Sequence, residues 1–201
     1  MDGLNKPVVI PPAYGLDGIH SITFTGDGQQ ISYWNRYVAV TQMGGLGSFS
    51  DPRLSLSITN GTVDLVSDKL PALQAYQLSL KAPPAPRGSY DVAAAARGKV
   101  LFEGKAQCTS CHSGPRFTDA NERLHPIPDS VVEPESPSYA SRSATRMYRT
   151  SPLKGIWQHP PYFHDGSAAT LEEVARLYTS RRGLGLTPQE IADLAQYLRS
   201  L

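Results

Sequence analysis

Cys108, Cys111 and His112 stand in one five-residue run, Cys108-Thr109-Ser110-Cys111-His112, and the chain has no other cysteine. Two thiols cannot build a disulfide-dense scaffold. Three chemistries remain: a dithiol switch, part of a metal site, or covalent attachment of a c-type haem. A thioredoxin-like pair follows a strand and opens a helix. Here a helical pattern precedes the pair and Gly114-Pro115 follows it. A structural zinc site needs four ligands. His159 and His164 could complete one, but an H-x-x-x-x-H spacing beside two prolines matches poorly. C-x-x-C-H suits the third chemistry. Two thiols add to the vinyl groups of neighbouring pyrroles, one turn of chain spans the gap, and the adjacent His falls beneath the iron. The motif therefore predicts one covalent haem c, attached through Cys108 and Cys111 and ligated by His112.

The elements that must hold this motif read as mainly α and loop-rich. Asp91–Glu103, directly before it, has a helical pattern that Asp91 can cap. Val92, Ala95, Ala96 and Phe102 are its packing residues, and Gly98 permits close approach of another helix. Two capping boxes open further helices near the end of the chain, Thr170-Leu-Glu-Glu173 and Thr187-Pro-Gln-Glu190. Leu171, Val174, Ala175 and Tyr178 form one apolar stripe; Ile191, Leu194, Ala195, Leu198 and Leu201 form the other.

Upstream, Ala82–Arg87 (APPAPR) is a stiff linker and the best boundary. It divides residues 1–86, an N-terminal extension, from 87–201, a cytochrome c-like helical haem domain. In the extension, Leu70–Leu80 reads as a helix with Leu73, Tyr76 and Leu80 on one face. Leu54–Ile58 alternates, and an Asn60-Gly61 turn would pair it with Val63 and Leu65 as a β-hairpin. Ile31–Val40 is aromatic and β-branched, so it is a strand or a short buried segment.

With 19 basic and 18 acidic residues, the net charge is +1. That balance gives no electrostatic case for nucleic acid or an anionic membrane. The 17 Gly and 17 Pro exceed the usual combined share without reaching the level of disorder. No stretch approaches the roughly 20 apolar residues of a membrane span. The one early apolar run, Val8-Val9-Ile10, is too short for a secretory leader. On that ground the chain reads as a mature protein, a fragment or an intracellular protein.

From residue 97 onward the sequence resembles the C-terminal haem domain of the bacterial di-haem cytochrome c peroxidase and MauG-like family. The resemblance rests on Arg97-Gly-Lys-Val-Leu-Phe-Glu-Gly104 and on Cys-His-Ser-Gly-Pro-Arg-Phe-Thr-Asp119. It continues in Tyr148-Arg-Thr-Ser-Pro-Leu-Lys-Gly155, Pro161-Tyr-Phe-His-Asp-Gly166 and Thr170-Leu-Glu-Glu-Val174. Members carry two haems, of which the C-terminal one relays electrons and the N-terminal one performs the peroxide chemistry. This chain has one C-x-x-C-H, so the resemblance implies the electron-relay half.

The sixth ligand decides between electron transfer and an open iron. In the MauG-like branch a Tyr ligates the iron fourteen residues beyond the His of the Pro-Tyr-Phe-His block, and that position here is Tyr178. Its alternative role is to end an apolar stripe as plain core. Met147, as a thioether, and His164, within that block, are the rival ligands; Met43 is a distant one. A ligating His usually donates its second N–H to a carbonyl, and Pro115 is placed to present one. Arg142, Arg146 and Arg149 are propionate partners, a dock for an acidic partner, or a solvated basic loop. Trp157 reads as core. The expected function is that of a periplasmic c-type cytochrome passing electrons to a redox partner protein or a second haem domain. The alternatives are a haem oxidoreductase, peroxidase-like or MauG-like, and a colourless zinc or dithiol module.

Overall fold

The computed structural model describes residues 8–127, 131–132 and 138–201. Among these residues it is mainly helical, with five α-helices and two small antiparallel sheets.

Three helices build the core around the cysteine motif. Asp91 caps α3 (Val92–Glu103) by accepting from the Ala94 N–H at 2.8 Å. Thr170 opens α4 (Leu171–Arg182) and Thr187 opens α5 (Pro188–Ser200), each with a complete capping box. These caps satisfy backbone N–H groups that a helix start leaves unpaired. α3 and α5 cross at Gly98, where a Cβ would lie 2.1 Å from the Asp193 carbonyl oxygen. Only a residue without a side chain permits this approach. Phe102, 1% exposed, packs edge-on against Tyr197. Leu171, Val174, Ala175, Leu194, Ala195 and Leu198 join the same cluster. On α3 the packing residues are Ala94, Ala95, Gly98 and Phe102. Val92, by contrast, is 73% exposed.

The N-terminal part departs from its expected elements in three places. Ile31–Val40 is helical: α1 (Ile31–Tyr37) runs on into a π-helical turn, Val38–Gln42. Tyr33 and Tyr37 pack on Phe49, so tertiary contact overrides strand propensity. The hairpin forms with another partner. β2 (Leu56–Asn60) pairs antiparallel with the preceding β1 (Gly47–Asp51), not with Val63 and Leu65. β1 supplies the buried Phe49, whereas Val63 and Leu65 stay exposed. Asp64 instead accepts from the N–H groups of Val66 and Ser67 and folds that stretch into a turn.

The third departure is α2 (Leu70–Ser79), which begins near its expected start but turns a different face inward. Leu73 and Tyr76 are exposed. The half-buried positions are Leu70, Gln74, Gln77 and Leu78. Gln77 is held by the Asn35 amide at 2.6 Å. Two glutamines on the packed face defeat a search for apolar periodicity.

The segment 9–26 lies along the haem-motif half as an irregular strap. Val9 N–H donates to the His164 carbonyl, Arg116 to the Asp17 carbonyl, Asn121 to the Gly18 carbonyl, and Thr145 to the Thr25 carbonyl. No described helix is long and apolar enough to cross a membrane.

Candidate haem attachment site

α3 ends at Gly104, and a 3-10 turn, Cys108–Ser110, follows. The His112 N–H donates to the Cys108 carbonyl at 2.8 Å, so the backbone of the motif coils on itself. Both cysteines are free thiols. Burial, together with the nearby Cys111, pushes the Cys108 thiol up to about 11.

His112 Nδ1 lies 3.0 Å from the Phe117 carbonyl oxygen. That contact leaves Nε2 as the nitrogen available to a metal. Burial holds the imidazole pKa below its usual value, which favours the neutral form that a ligand requires. Phe117, rather than Pro115, thus supplies the carbonyl. Its φ of +54° turns the chain back toward the ring. Thr118 then donates to the Thr150 carbonyl at 2.5 Å and ties this loop to residues 148–151.

Asp119 is buried behind the motif. Burial pushes its carboxyl up, but hydrogen bonds from Arg123, Thr150 and His125 outweigh that and hold it below the ordinary range. Cys111, Asp119 and His125 bring three ligand-type atoms within 4.8 Å. Among the described residues this set is one ligand short of a structural zinc site. The Arg123 guanidinium already occupies Asp119 at 2.7 Å. The histidines that sequence offered for zinc are engaged elsewhere. His159 pairs with the Tyr14 hydroxyl, and His164 is stacked on Tyr139 and packed by Phe24 and Tyr148.

Tyr178, on α4, joins the apolar cluster that also holds Cys108 and Phe117, with its ring 6.0 Å from that of Phe163. Burial pushes its phenol up to about 12, and the sulfurs of Cys108 and Cys111 are near enough to add to that shift. The structure therefore brings Tyr178 into the cluster that holds Cys108 and encloses His164 in aromatic rings. Met147 lies on a two-residue strand at 41% exposure, and Met43 is 78% exposed at the end of the π-helical turn. Trp157 is half-buried and donates to the Pro83 carbonyl. Arg142 and Arg146 are exposed, but Arg149 is buried.

A cytochrome c-like family model, described as RoxA-like, matches residues 147–182. A cytochrome c peroxidase of Denitromonas iodatirespirans is 30% identical over 151 residues, covering 54% of this chain and 40% of that protein. The methylamine utilization protein MauG of Methylorubrum extorquens is 38% identical over 88 residues, covering 42% and 24%. The chain thus spans less than half the length of these curated relatives. Among solved structures, a MauG-like protein associated with microbial copper homeostasis aligns over 97% of this chain and 73% of its own. Its TM-score is 0.64 at 21% identity. The diheme peroxidase BthA of Burkholderia thailandensis aligns over 91% of this chain and 66% of its own, with a TM-score of 0.51 at 16% identity. These two likenesses speak for the fold.

This chain is a relative of the cytochrome c peroxidase and MauG-like proteins.

Its domain is cytochrome c-like, and that relationship indicates haem c. The residues fit such a group. The motif offers two free thiols and an imidazole whose Nδ1 is engaged and whose pKa is lowered by burial. A buried cation, Arg149, leaves its Nε without a hydrogen-bond partner, as expected where an anionic group belongs. Reasoning from sequence missed the Phe117 carbonyl and the Asp119 network. The Pro-Arg-Phe-Thr-Asp119 run contains both, but nothing in it marks which carbonyl turns inward.

Proposed function

We propose that this chain carries one haem c and passes single electrons. Cys108 and Cys111 would form the thioethers, and His112 and Tyr178 would ligate the iron. The observation that carries this reading is Tyr178, half-buried in the apolar cluster that also holds Cys108 and close enough to both sulfurs to feel their charge. When bound, the haem supplies a one-electron couple, and a filled sixth position excludes peroxide and carbon monoxide. The chain's own residues then serve that couple. The Phe117 carbonyl orients His112. Phe102, Phe163 and Leu153 keep water from the site. An anionic oxygen ligand stabilises ferric iron and sets a low potential. The electrons pass to a redox partner protein or to a second haem domain. Haem c is attached outside the bacterial cytoplasm, so the working location is the periplasm. Residues 87–201 are the haem module and 1–86 its extension.

A second reading comes from the relatives, two of which are named a peroxidase and MauG. In that reading the chain is a haem oxidoreductase, peroxidase-like or MauG-like, or a fragment of one, with an iron open to peroxide. Absorption spectra of oxidised and reduced holoprotein separate the two. Electron transfer predicts a low-spin, six-coordinate haem that does not bind carbon monoxide, with a spectrum changed by Tyr178→Phe and unchanged by Met147→Leu. A high-spin haem reacting rapidly with hydrogen peroxide establishes the second reading. A spectrum unmoved by Tyr178→Phe removes Tyr178 from the iron.

A further inference from the structure

Arg149 is buried, 6% exposed as a residue. Nη1 donates to the Ser21 carbonyl at 2.9 Å, and the backbone N–H donates to the Phe24 carbonyl at 2.8 Å. Nε is buried with no hydrogen-bond partner, the one such side-chain atom among the described residues. No described carboxylate forms an ion pair with Arg149. Arg36, Arg53, Arg97, Arg123 and Arg199 all have one, although each is more exposed. A buried cation without a counter-ion is costly, and proteins pair such charges. The molecule thus holds a place for an anion that its own described residues do not supply.

The place adjoins the haem motif. Thr150, the next residue, accepts from Thr118 through its carbonyl and donates through its side chain to Asp119. Ser151, one residue further, meets the His112 ring through its backbone. Arg149 therefore belongs to the stretch of chain that backs the proximal imidazole. A haem carries two propionates, which are carboxylates of the kind an arginine fork binds.

We propose that Arg149 is the cation that binds a haem propionate. The proposal rests on the haem c reading above. The same fork would also suit a small inorganic anion such as phosphate, so the test has an arm for each source.

The test uses holoprotein with Arg149 intact, R149Q and R149K. The pyridine haemochrome spectrum first shows whether c-type haem is attached. No haem on the unmodified chain overturns the haem reading itself. With haem attached, the midpoint potential is followed from pH 5 to pH 8. An ion-paired propionate stays ionised throughout, so the unmodified protein gives a flat profile. In R149Q the propionate takes up a proton on reduction, and the potential falls as pH rises. R149K keeps the charge and stays flat. Equal profiles in R149Q and the unmodified protein overturn the proposal while leaving the haem reading intact. If R149Q yields no holoprotein, the propionate bending band in resonance Raman spectra decides. It shifts in R149K, where one ammonium replaces the fork, and an unmoved band overturns the proposal. A potential that moves with phosphate concentration at constant ionic strength assigns the site to an inorganic ion and also overturns it.

Discussion

The carbonyl oxygen of Phe117 lies 3.0 Å from Nδ1 of His112, five residues earlier in the chain. The contact depends on a left-handed backbone at Phe117, φ +54°. A β-branched residue is strained there, and glycine is not. Phe117→Val is expected to turn the carbonyl away and raise the high-spin fraction of ferric haem in electron paramagnetic resonance. Phe117→Gly is expected to keep the low-spin signal. It loses the edge contact with Phe102, at a cost of about 2 kcal/mol in denaturant unfolding.

Covalent attachment tests the cysteines one at a time. Cys108→Ala and Cys111→Ala each leave a single thioether, so the pyridine haemochrome band moves to longer wavelength. The double substitution leaves no haem on the chain after denaturing electrophoresis. Haem retained in that gel by the double variant refutes the assignment.

Gly98→Ala sets two effects against each other. Alanine gains up to about 1 kcal/mol of helix propensity. Its Cβ, however, would sit 2.1 Å from the Asp193 carbonyl oxygen and 2.9 Å from Tyr197 Cβ. Overpacking against backbone costs about 1–3 kcal/mol or more. The clash prevails, and the melting temperature is expected to fall by several degrees.

Asp193 is a buried carboxylate held by both Arg97 Nε and Nη2 at 2.7 Å, and by Gln189 at 3.0 Å. The Arg97 hydrogen bonds outweigh burial and hold its carboxyl below the usual range. A depressed folded value means stability present above the unfolded pKa of about 3.9 and lost as pH falls through the folded one. Asp193→Asn is therefore expected to unfold more easily at neutral pH and to approach the unmodified protein in acid well below pH ~3.9. Parallel denaturation curves at both pH values would refute this.

The parts legible in the sequence are those governed by near neighbours. The cysteine motif is five residues long, and the haem c that the relatives indicate is the chemistry its residue types and order suggest. The caps at Asp91, Thr170 and Thr187 need only three following residues to be recognised. Gly98 stood out as a glycine inside a helical pattern. In the N-terminal part the same rules named the wrong partner for β2 and the wrong face of α2. There the deciding contacts are Phe49 with Tyr33 and Tyr37, and Gln77 with Asn35. Each joins residues that local periodicity cannot connect.

By itself, then, the sequence pointed to a haem attachment motif at Cys108, Cys111 and His112 and determined the positions of the helix starts around it. Only the tertiary structure decided that Phe117 rather than Pro115 faces His112, that Tyr178 joins the cluster of Cys108 while His164 is enclosed, and that Arg149 alone of its three arginines is buried. Thioether chemistry and capping depend on residues a few positions apart. A carbonyl's direction, a phenol's neighbours and the burial of a charge depend on how distant segments pack, and here the strap of residues 9–26 and the crossing of α3 and α5 set that packing.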